Sequence, residues 1–226
     1  MNFLQLVDRL GGEVGASGTV TDVSTTTGEY LRLTRWINQA WLELQMEHAD
    51  WLFLRNSATF STIAADGDYD VTAAPISLTD FSGDFVNQSF RLYDDIGDEQ
   101  YLTQLDYDEF RDTWLIGSNR TSQSRPQFIT IAPDKKLLLA QIPDRVYTVV
   151  LDYYKVPSEM TVSNTAEPTG LPARFHMMLV YKAMEWYASY ENAPEVATRG
   201  SFQYATMLDN LRITQLPSVT VELGFI

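Results

Sequence analysis

The sequence contains no cysteine and only two histidines, His48 and His176, among its 226 residues. Without a thiol, the chain cannot form a disulfide, bind zinc or an iron–sulfur cluster through thiolates, or use a cysteine nucleophile. Two histidines are also too few for a histidine-rich metal centre. A search for a glycine-rich phosphate loop, a G-x-S-x-G turn or an H-E-x-x-H helix is negative as well. We therefore expect no cofactor and no enzyme active site.

Long apolar runs and basic residues are also scarce. No apolar run approaches the roughly 18 residues that a membrane-spanning helix needs, and the first residues lack the pattern of a signal peptide. Sixteen Lys and Arg stand against thirty Asp and Glu, which gives a net charge of −14. This balance argues against a surface that binds nucleic acid or an anionic membrane. The 45% of hydrophobic residues nevertheless predicts a folded chain of one large or two small domains.

Helices are predicted at both ends of the chain. Residues 2–14 are amphipathic, and a stronger helix follows, with an apolar stripe made of Tyr30, Leu33, Ile37, Ala40, Trp41 and Leu44. A second stripe of Leu31, Leu42 and Met46 lies on another side of that helix. A helix that exposes one face to solvent rarely carries two apolar stripes. We therefore expect a neighbouring subunit to cover the second stripe. Near the carboxyl end, Pro172 precedes a helix that is apolar almost all round, and Pro194 begins the last helix.

The middle of the chain has the residue pattern that is typical of β-strands. Short β-branched and aromatic segments occur at 57–63, 67–71, 90–94, 127–132, 136–141 and 145–156, and one short helix at 106–116 interrupts them with Asp106 as its N-cap. The predicted fold is therefore α+β, with N- and C-terminal helices forming one bundle, an inserted antiparallel β-rich domain and an extended C-terminal tail. The predicted boundaries are 1–50 with 170–216 for the bundle, 51–169 for the insertion and 217–226 for the tail.

The last residues are unusually apolar for a chain end. Val219, Val221, Leu223 and Phe225 alternate with smaller or polar residues, and Ile226 follows. Alternation of this kind is typical of a half-buried strand. The segment could return to the edge of its own sheet, or it could add as a strand to another protein chain.

Two charged segments are further candidates. The stretch 94–112 is rich in carboxylates, with Asp94, Asp95, Asp98, Glu99, Asp108 and Asp112 as the candidate acidic residues. Such a stretch is typical of a solvated surface, but it could also hold a divalent cation, hydrolyse a glycan with two carboxylates, or line a pore so that DNA does not adhere. Arg120 and Arg125 lie in a polar stretch that is either a mobile loop or a contact for an acidic neighbour or passing DNA.

Several segments together resemble the head–tail adaptor (connector) proteins of tailed bacteriophages. They are WINQAW at 36–41, HADWLFLR at 48–55, LDYDEFRD at 105–112, APDK at 132–135 and LPARFH at 171–176. The resemblance implies a ring, commonly of twelve copies, that docks beneath the portal protein, extends the DNA channel and carries the next tail, nozzle or stopper protein. It also implies that the C-terminal tail reaches the portal.

The expected location is the head–tail junction of the virion, after assembly in the host cytoplasm, with double-stranded DNA passing through without specific binding. Two other functions remain open on the residues alone. One is a carboxylate-dependent cell-wall glycan hydrolase that uses the acidic stretch. The other is a carbohydrate- or protein-binding β module with helical scaffolding.

Overall fold

The computed structural model describes residues 1–217 and divides the chain into two compact units. The helical unit combines Met1–Leu54 with the chain from Pro157 onward, and the β unit is Arg55–Val156. Segments 51–54 and 157–169, which the sequence assigned to the insertion, lie in the helical unit. The predicted tail residues from 218 onward lie outside the described residues.

Four α-helices form the helical unit: α1 (Phe3–Val14), α2 (Gly28–Glu47), α4 (Met177–Glu191) and α5 (Pro194–Gln215). Helix α1 begins with a capping box, in which the Asn2 side chain accepts from the Gln5 N–H at 2.9 Å and the Gln5 side chain accepts from the Asn2 N–H at 3.0 Å. Helix α4 ends at Asn192, which adopts the left-handed conformation with φ +54°. Pro194 then occupies the first turn of α5, so two helices follow each other after a very short break.

Helix α4 lies at the centre of this unit, as its apolar composition predicts. It contacts α1, α2 and α5. Its buried side chains are Met178, Leu179, Val180, Ala183, Met184 and Ala188. Helix α5 approaches it closely at Gly200, where an added Cβ would lie 2.8 Å from the Tyr181 carbonyl oxygen. The absence of a side chain at Gly200 therefore permits the close approach of α5 to α4.

Side-chain amides of α2 hold the segment that returns from the β unit. The Asn38 side chain accepts from the Met160 N–H at 3.1 Å and donates to the Met160 carbonyl at 3.3 Å. Gln45 makes the same pair of bonds with Ser158, at 3.1 and 3.0 Å. Both amides are buried, and Asn38 satisfies a donor and an acceptor of Met160 that would otherwise be buried without a partner. This pairing explains why residues after Pro157 belong with the helices.

The β unit contains eleven strands and one α-helix, α3 (Tyr107–Trp114), which begins at its predicted N-cap Asp106. The strands are β1 (Arg55–Ser61), β2 (Asp68–Tyr69), β3 (Phe81–Phe85), β4 (Arg91–Tyr93), β5 (Gln100–Tyr101), β6 (Thr103–Gln104), β7 (Gln123–Ser124), β8 (Phe128–Ile131), β9 (Leu137–Ala140), β10 (Ile142–Pro143) and β11 (Thr148–Lys155). One sheet has the order β1-β11-β4-β5 with β3 also on β11, a second has β2-β9-β8-β6, and β7 pairs with β10. Most pairs are antiparallel, while β6–β8 and β7–β10 are parallel.

One apolar core fills the β unit, and strand β11 crosses it. Val149, Leu151 and Tyr153 alternate with less buried residues along β11, as a sheet with one covered face requires. Side chains from both larger sheets join them, including Phe60, Tyr69, Phe90, Leu92, Ile129, Leu137 and Tyr147. The predicted α+β class, with helices from both ends of the chain and a largely antiparallel β-rich insertion, is confirmed.

Candidate interaction surfaces

The second stripe of α2 is the least covered part of that helix. The first stripe is buried from Leu33 to Leu44, whereas Leu31 and Leu42 are half-buried and Met46 is 67% exposed. Arg35 is exposed on the same side and makes no ion pair within residues 1–217. An apolar face with one unpaired charge therefore lies open along α2 in the single subunit. We call it the α2 outer face and define it by Leu31, Arg35, Leu42 and Met46.

A partly buried charge network borders this face at its carboxyl end. The Lys182 ammonium lies 2.6 Å from Glu185 and 3.7 Å from Glu43, and 5.3 Å from the centre of the Tyr204 ring. The Tyr204 hydroxyl donates to Glu47 at 3.2 Å. Burial acts to lower the pKa of Lys182, but the two carboxylates outweigh it and raise the pKa above its ordinary value. Burial and then Glu47 raise the pKa of Tyr204, so the phenol stays protonated.

The network and the α2 outer face share a shallow groove. A cavity of about 240 Å³ is lined by Glu43, Met46, Glu47, Lys182 and Tyr204. Arg212 of α5 pairs with one of the lining residues, Glu47, at 2.7 Å. The groove offers a neighbouring protein an apolar edge beside fixed charges, which is the composition of a protein-binding surface more than of a catalytic site.

Basic residues neutralise much of the charge of the acidic stretch 94–112 in the folded chain. Arginines from elsewhere in the β unit pair with three of its members: Arg145 with Asp94 at 2.7 Å, Arg91 with Glu99 at 3.0 Å, and Arg125 with Asp98. Arg111 pairs with both Asp108 and Asp112, each at 2.9 Å. Among the six candidate acids, Asp95 alone makes no ion pair within residues 1–217. The stretch is therefore an ion-paired surface. The number of acidic residues between 94 and 112 overstates the negative electrostatic potential that this surface produces.

The direction of the Asp98 pKa argues against Asp98 as the general acid of a glycan hydrolase. A general acid in such a reaction needs a carboxyl pKa raised towards neutrality. The Arg125 guanidinium instead holds the pKa of Asp98 down, to about 2, and backbone bonding adds to the effect. Asp98 is therefore an ion-pair partner with no proton to donate near neutral pH. In the described part of the chain, three or more His, Asp or Glu side chains do not come together as a metal site either.

The two loop arginines differ from the expectation of free contacts. Arg125 is half-buried, and besides its pair with Asp98 it donates to the Asp98 carbonyl at 2.6 Å. It therefore braces the β unit and is not offered to a partner. Arg120 is exposed but donates twice to the Leu115 carbonyl, at 3.0 and 2.6 Å, at the end of α3. Because these bonds satisfy a free helix-end carbonyl, Arg120 acts first as a cap.

The predicted portal-docking residues Val219, Val221, Leu223, Phe225 and Ile226 lie outside the described residues. Among the helices of residues 1–217, none combines the length and the hydropathy that a membrane span requires.

The family model of the SU10 adaptor protein matches residues 1–221, which covers both units. The chain belongs to this family. It is accordingly a structural protein of a bacteriophage, and as an adaptor protein it is a component of the virion. The resemblance seen in the sequence is thereby confirmed. No curated protein matches the chain.

The adaptor has a second open helix face that the sequence analysis did not single out. Phe202 and Ile213 of α5 are 69% and 81% exposed, and Asp209 lies between them with a side chain that is 74% exposed. They stand on the opposite side of α5 from the buried residues Gly200 and Leu211. The signal was present in the sequence, because eleven residues separate Phe202 from Ile213 and eleven residues are three helical turns. We call this the α5 outer face.

Proposed function

We propose that this adaptor forms a ring, commonly of twelve copies, beneath the portal protein at the head–tail junction. The ring extends the DNA channel and provides the attachment site for the next tail, nozzle or stopper protein. The observation that carries the proposal is the family match, which runs through the helical unit and the inserted β unit alike. Assembly takes place in the host cytoplasm, and double-stranded DNA later passes through without specific binding.

The exposed surfaces of the adaptor suit different binding partners. The α2 outer face, with Leu31, Leu42 and Met46, is apolar and uncovered, which suits lateral contact with a neighbouring copy. The alternating apolar residues at 219–225 suit strand addition to the portal. The β unit then provides the surface that binds the next tail, nozzle or stopper protein of the virion.

The net charge of −14 supports a channel to which DNA does not adhere. We assign that property to the whole subunit and not to Asp94, Asp95, Asp98, Glu99, Asp108 and Asp112 alone, since arginines pair with five of these six acids. Repulsion between copies of equal charge also keeps free subunits apart at low salt. The tail would overcome it by raising the local concentration of subunits on the portal ring.

Removal of the tail tests the portal contact. We expect a chain that ends at Leu216 to lose binding to portal rings of the same phage in a sedimentation assay, while its thermal unfolding stays that of the full chain. The matched control replaces 217–226 with a Gly/Ser segment of equal length, which keeps the reach but removes the apolar side chains. It should lose binding as well. Full portal binding by either variant would contradict the assignment of the tail.

Electron microscopy of assembled particles tests the ring itself. Full-length subunits mixed with portal rings should form a single closed layer on one face of the portal. Subunits that remain dispersed on or off the portal would contradict the proposal.

A further inference from the structure

One edge of the five-stranded sheet in the β unit has no strand beside it. Strand β1 stands at the end of the order β1-β11-β4-β5 and pairs with β11 alone. A strand in this position presents a row of backbone N–H and C=O groups with which a further strand can pair. We call these groups the outer edge of β1 and define it by the three exposed residues Ser57, Thr59 and Ser61.

The hydrogen-bond pattern shows that these groups point away from β11. The Thr62 N–H donates to the Tyr147 carbonyl at 2.8 Å, in the register of the β1–β11 pair. Because backbone direction alternates along a strand, the groups of Phe60 and Ala58 also face β11, and those of the outer edge face the other way. Within residues 1–217, the outer edge makes no backbone hydrogen bond.

Strand β11 gives the same result independently. Asp152 lies opposite Ser57 in the β1–β11 register. Its carbonyl accepts from the Val86 N–H at 2.9 Å, on the side of β11 that faces away from β1. Asp152 and Ser57 therefore form a non-hydrogen-bonded pair, which leaves the backbone groups of Ser57 free on the outer side.

The outer edge carries none of the features that usually prevent a free strand from pairing. Such features are a lysine or another charge, a proline, a bulge, or a very short strand. Residues 56–61 have the sequence NSATFS, without a charge or a proline. The register with β11 is unbroken from Arg55 to Ser61, over seven residues. An edge of this kind suits strand addition by another chain.

A second copy of the adaptor does not offer a matching strand. Pairing of β1 with β1 of another copy would be a twofold contact, which cannot repeat around a ring. In residues 1–217, the other strands at sheet edges are β2, β5, β6, β7 and β10, with two residues each, and β3, in which Gly83 has φ +107°. The proposed portal contact uses the tail. The strand that covers β1 must therefore come from a further protein.

We propose that an extended segment of the next tail, nozzle or stopper protein adds to the outer edge of β1 as a further strand. The inference rests on the proposed function, which assigns the β unit to that protein, and it names the surface that binds it. The three residues of the outer edge, with the two between them, span about 13 Å, and their N–H and C=O groups pair with alternate residues of the segment.

The two faces of the sheet define the side chains of this segment. Phe60 is buried and Ala58 half-buried on one face, whereas Ser57 and Thr59 are exposed on the other. The segment should therefore alternate apolar and polar residues and have no proline at the paired positions. The β unit carries nine Lys and Arg against sixteen Asp and Glu, so basic residues beside the segment speed its approach.

Hydrogen exchange tests the contact in intact assemblies. Mass spectrometry with single-amide resolution compares the free full chain, adaptor rings on portal rings, and complete virions of the same phage. The three amides of the outer edge should exchange fast in the first two samples and lose fast exchange in virions. The amides of Ala58 and Phe60 are the internal control, because they face β11 and should stay protected in all three samples.

Two outcomes of this experiment would overturn the proposal. Fast exchange of the outer edge in virions would show that no strand is added there. Protection already present in adaptor rings on the portal would show that another copy or the portal covers the edge. Failure of the unaltered chain to form rings on the portal would instead overturn the proposed function itself.

A proline variant provides the second test. Thr59→Pro removes an outward N–H that the subunit does not use, and edge strands accept proline where the N–H faces solvent. The variant should still form rings on the portal, but its particles should lose their tails in electron micrographs. Thr59→Val is the matched control, since it keeps the N–H and the shape of the side chain, and its particles should keep their tails.

Tailed particles formed by Thr59→Pro as often as by Thr59→Val would overturn strand addition while leaving the ring proposal standing. If Thr59→Pro does not fold, hydrogen exchange of the unaltered chain decides the question.

Discussion

Gly200 is the residue whose substitution tests the packing of the helical unit most directly. Replacing a helical glycine by alanine normally stabilises a helix by about 1 kcal/mol, because the backbone loses less entropy on folding. At Gly200, however, the new Cβ would lie 2.8 Å from the Tyr181 carbonyl oxygen and 3.1 Å from the Met184 Cβ. The carbonyl belongs to the backbone of α4 and moves only if α4 and α5 separate. Overpacking of this kind costs about 1–3 kcal/mol, so we expect Gly200→Ala to destabilise by about 1 kcal/mol net.

Gly12 is the matched control for this experiment. It lies in α1 with ordinary helical backbone angles, and an added Cβ would meet nothing within 4 Å. Gly12→Ala should therefore stabilise by about 0.5–1 kcal/mol, so that the two variants change stability in opposite directions. At this chain length, 1 kcal/mol corresponds to about 2–4 °C in the midpoint of unfolding.

Tryptophan fluorescence during urea or thermal unfolding can measure both variants. Trp36, Trp41, Trp51 and Trp186 lie in the helical unit, and Trp114 alone lies in the β unit, so the signal reports mainly on the helices. Gly200→Ala should lower the midpoint and Gly12→Ala should raise it. If Gly200→Ala raised the midpoint as much as Gly12→Ala, the close approach of α4 and α5 would be refuted.

Two further predictions concern buried and charged partners. Asn38→Leu should destabilise the helical unit by about 2–4 kcal/mol, because it leaves the Met160 N–H and carbonyl buried without partners. Urea unfolding measures this loss. An unchanged midpoint would show that contacts other than those of Asn38 hold the segment after Pro157. The Asp98 pKa, about 2 in the folded chain, lies below the roughly 3.9 of an unfolded chain, so its pairing with Arg125 stabilises the β unit above pH 4 and is lost as the pH falls towards 2. Acid unfolding followed by near-ultraviolet circular dichroism should therefore be shallower for Asp98→Asn, and identical acid profiles would contradict this pairing.

The elements with a clear period could be predicted from the sequence. The helix at residues 2–14 is α1, the strand at 145–156 contains β11, and Asp106 caps α3 as expected. Each has a repeat of two or of three to four residues that burial of one face imposes. Strands β5, β6, β7 and β10 have two residues each and show no period, so only their tertiary neighbours determine them. Strand β3 was not predicted because it contains Gly83, and a glycine in such a segment is typical of a turn.

Ion pairs between distant segments could not be predicted from local patterns. Arg145 lies fifty-one residues after Asp94, and the two meet because β4 and β11 pair antiparallel with Tyr93 opposite Thr148. This register brings the residue after β4 beside the loop before β11. Counting charge along 94–112 therefore made an ion-paired surface look like a strong acidic patch. The α5 outer face could not be predicted from burial patterns, because Phe202 and Ile213 are both exposed in the subunit.

The distribution of charge between the two units bears on how copies of the adaptor associate. The β unit carries nine Lys and Arg against sixteen Asp and Glu, and the remainder of the chain carries seven against fourteen, so each has a net charge of −7. Neighbouring copies therefore repel along their whole length and not at one acidic wall. A lateral contact can offset this repulsion only by placing unlike charges at close range within an apolar surround, where solvent and salt screen them less.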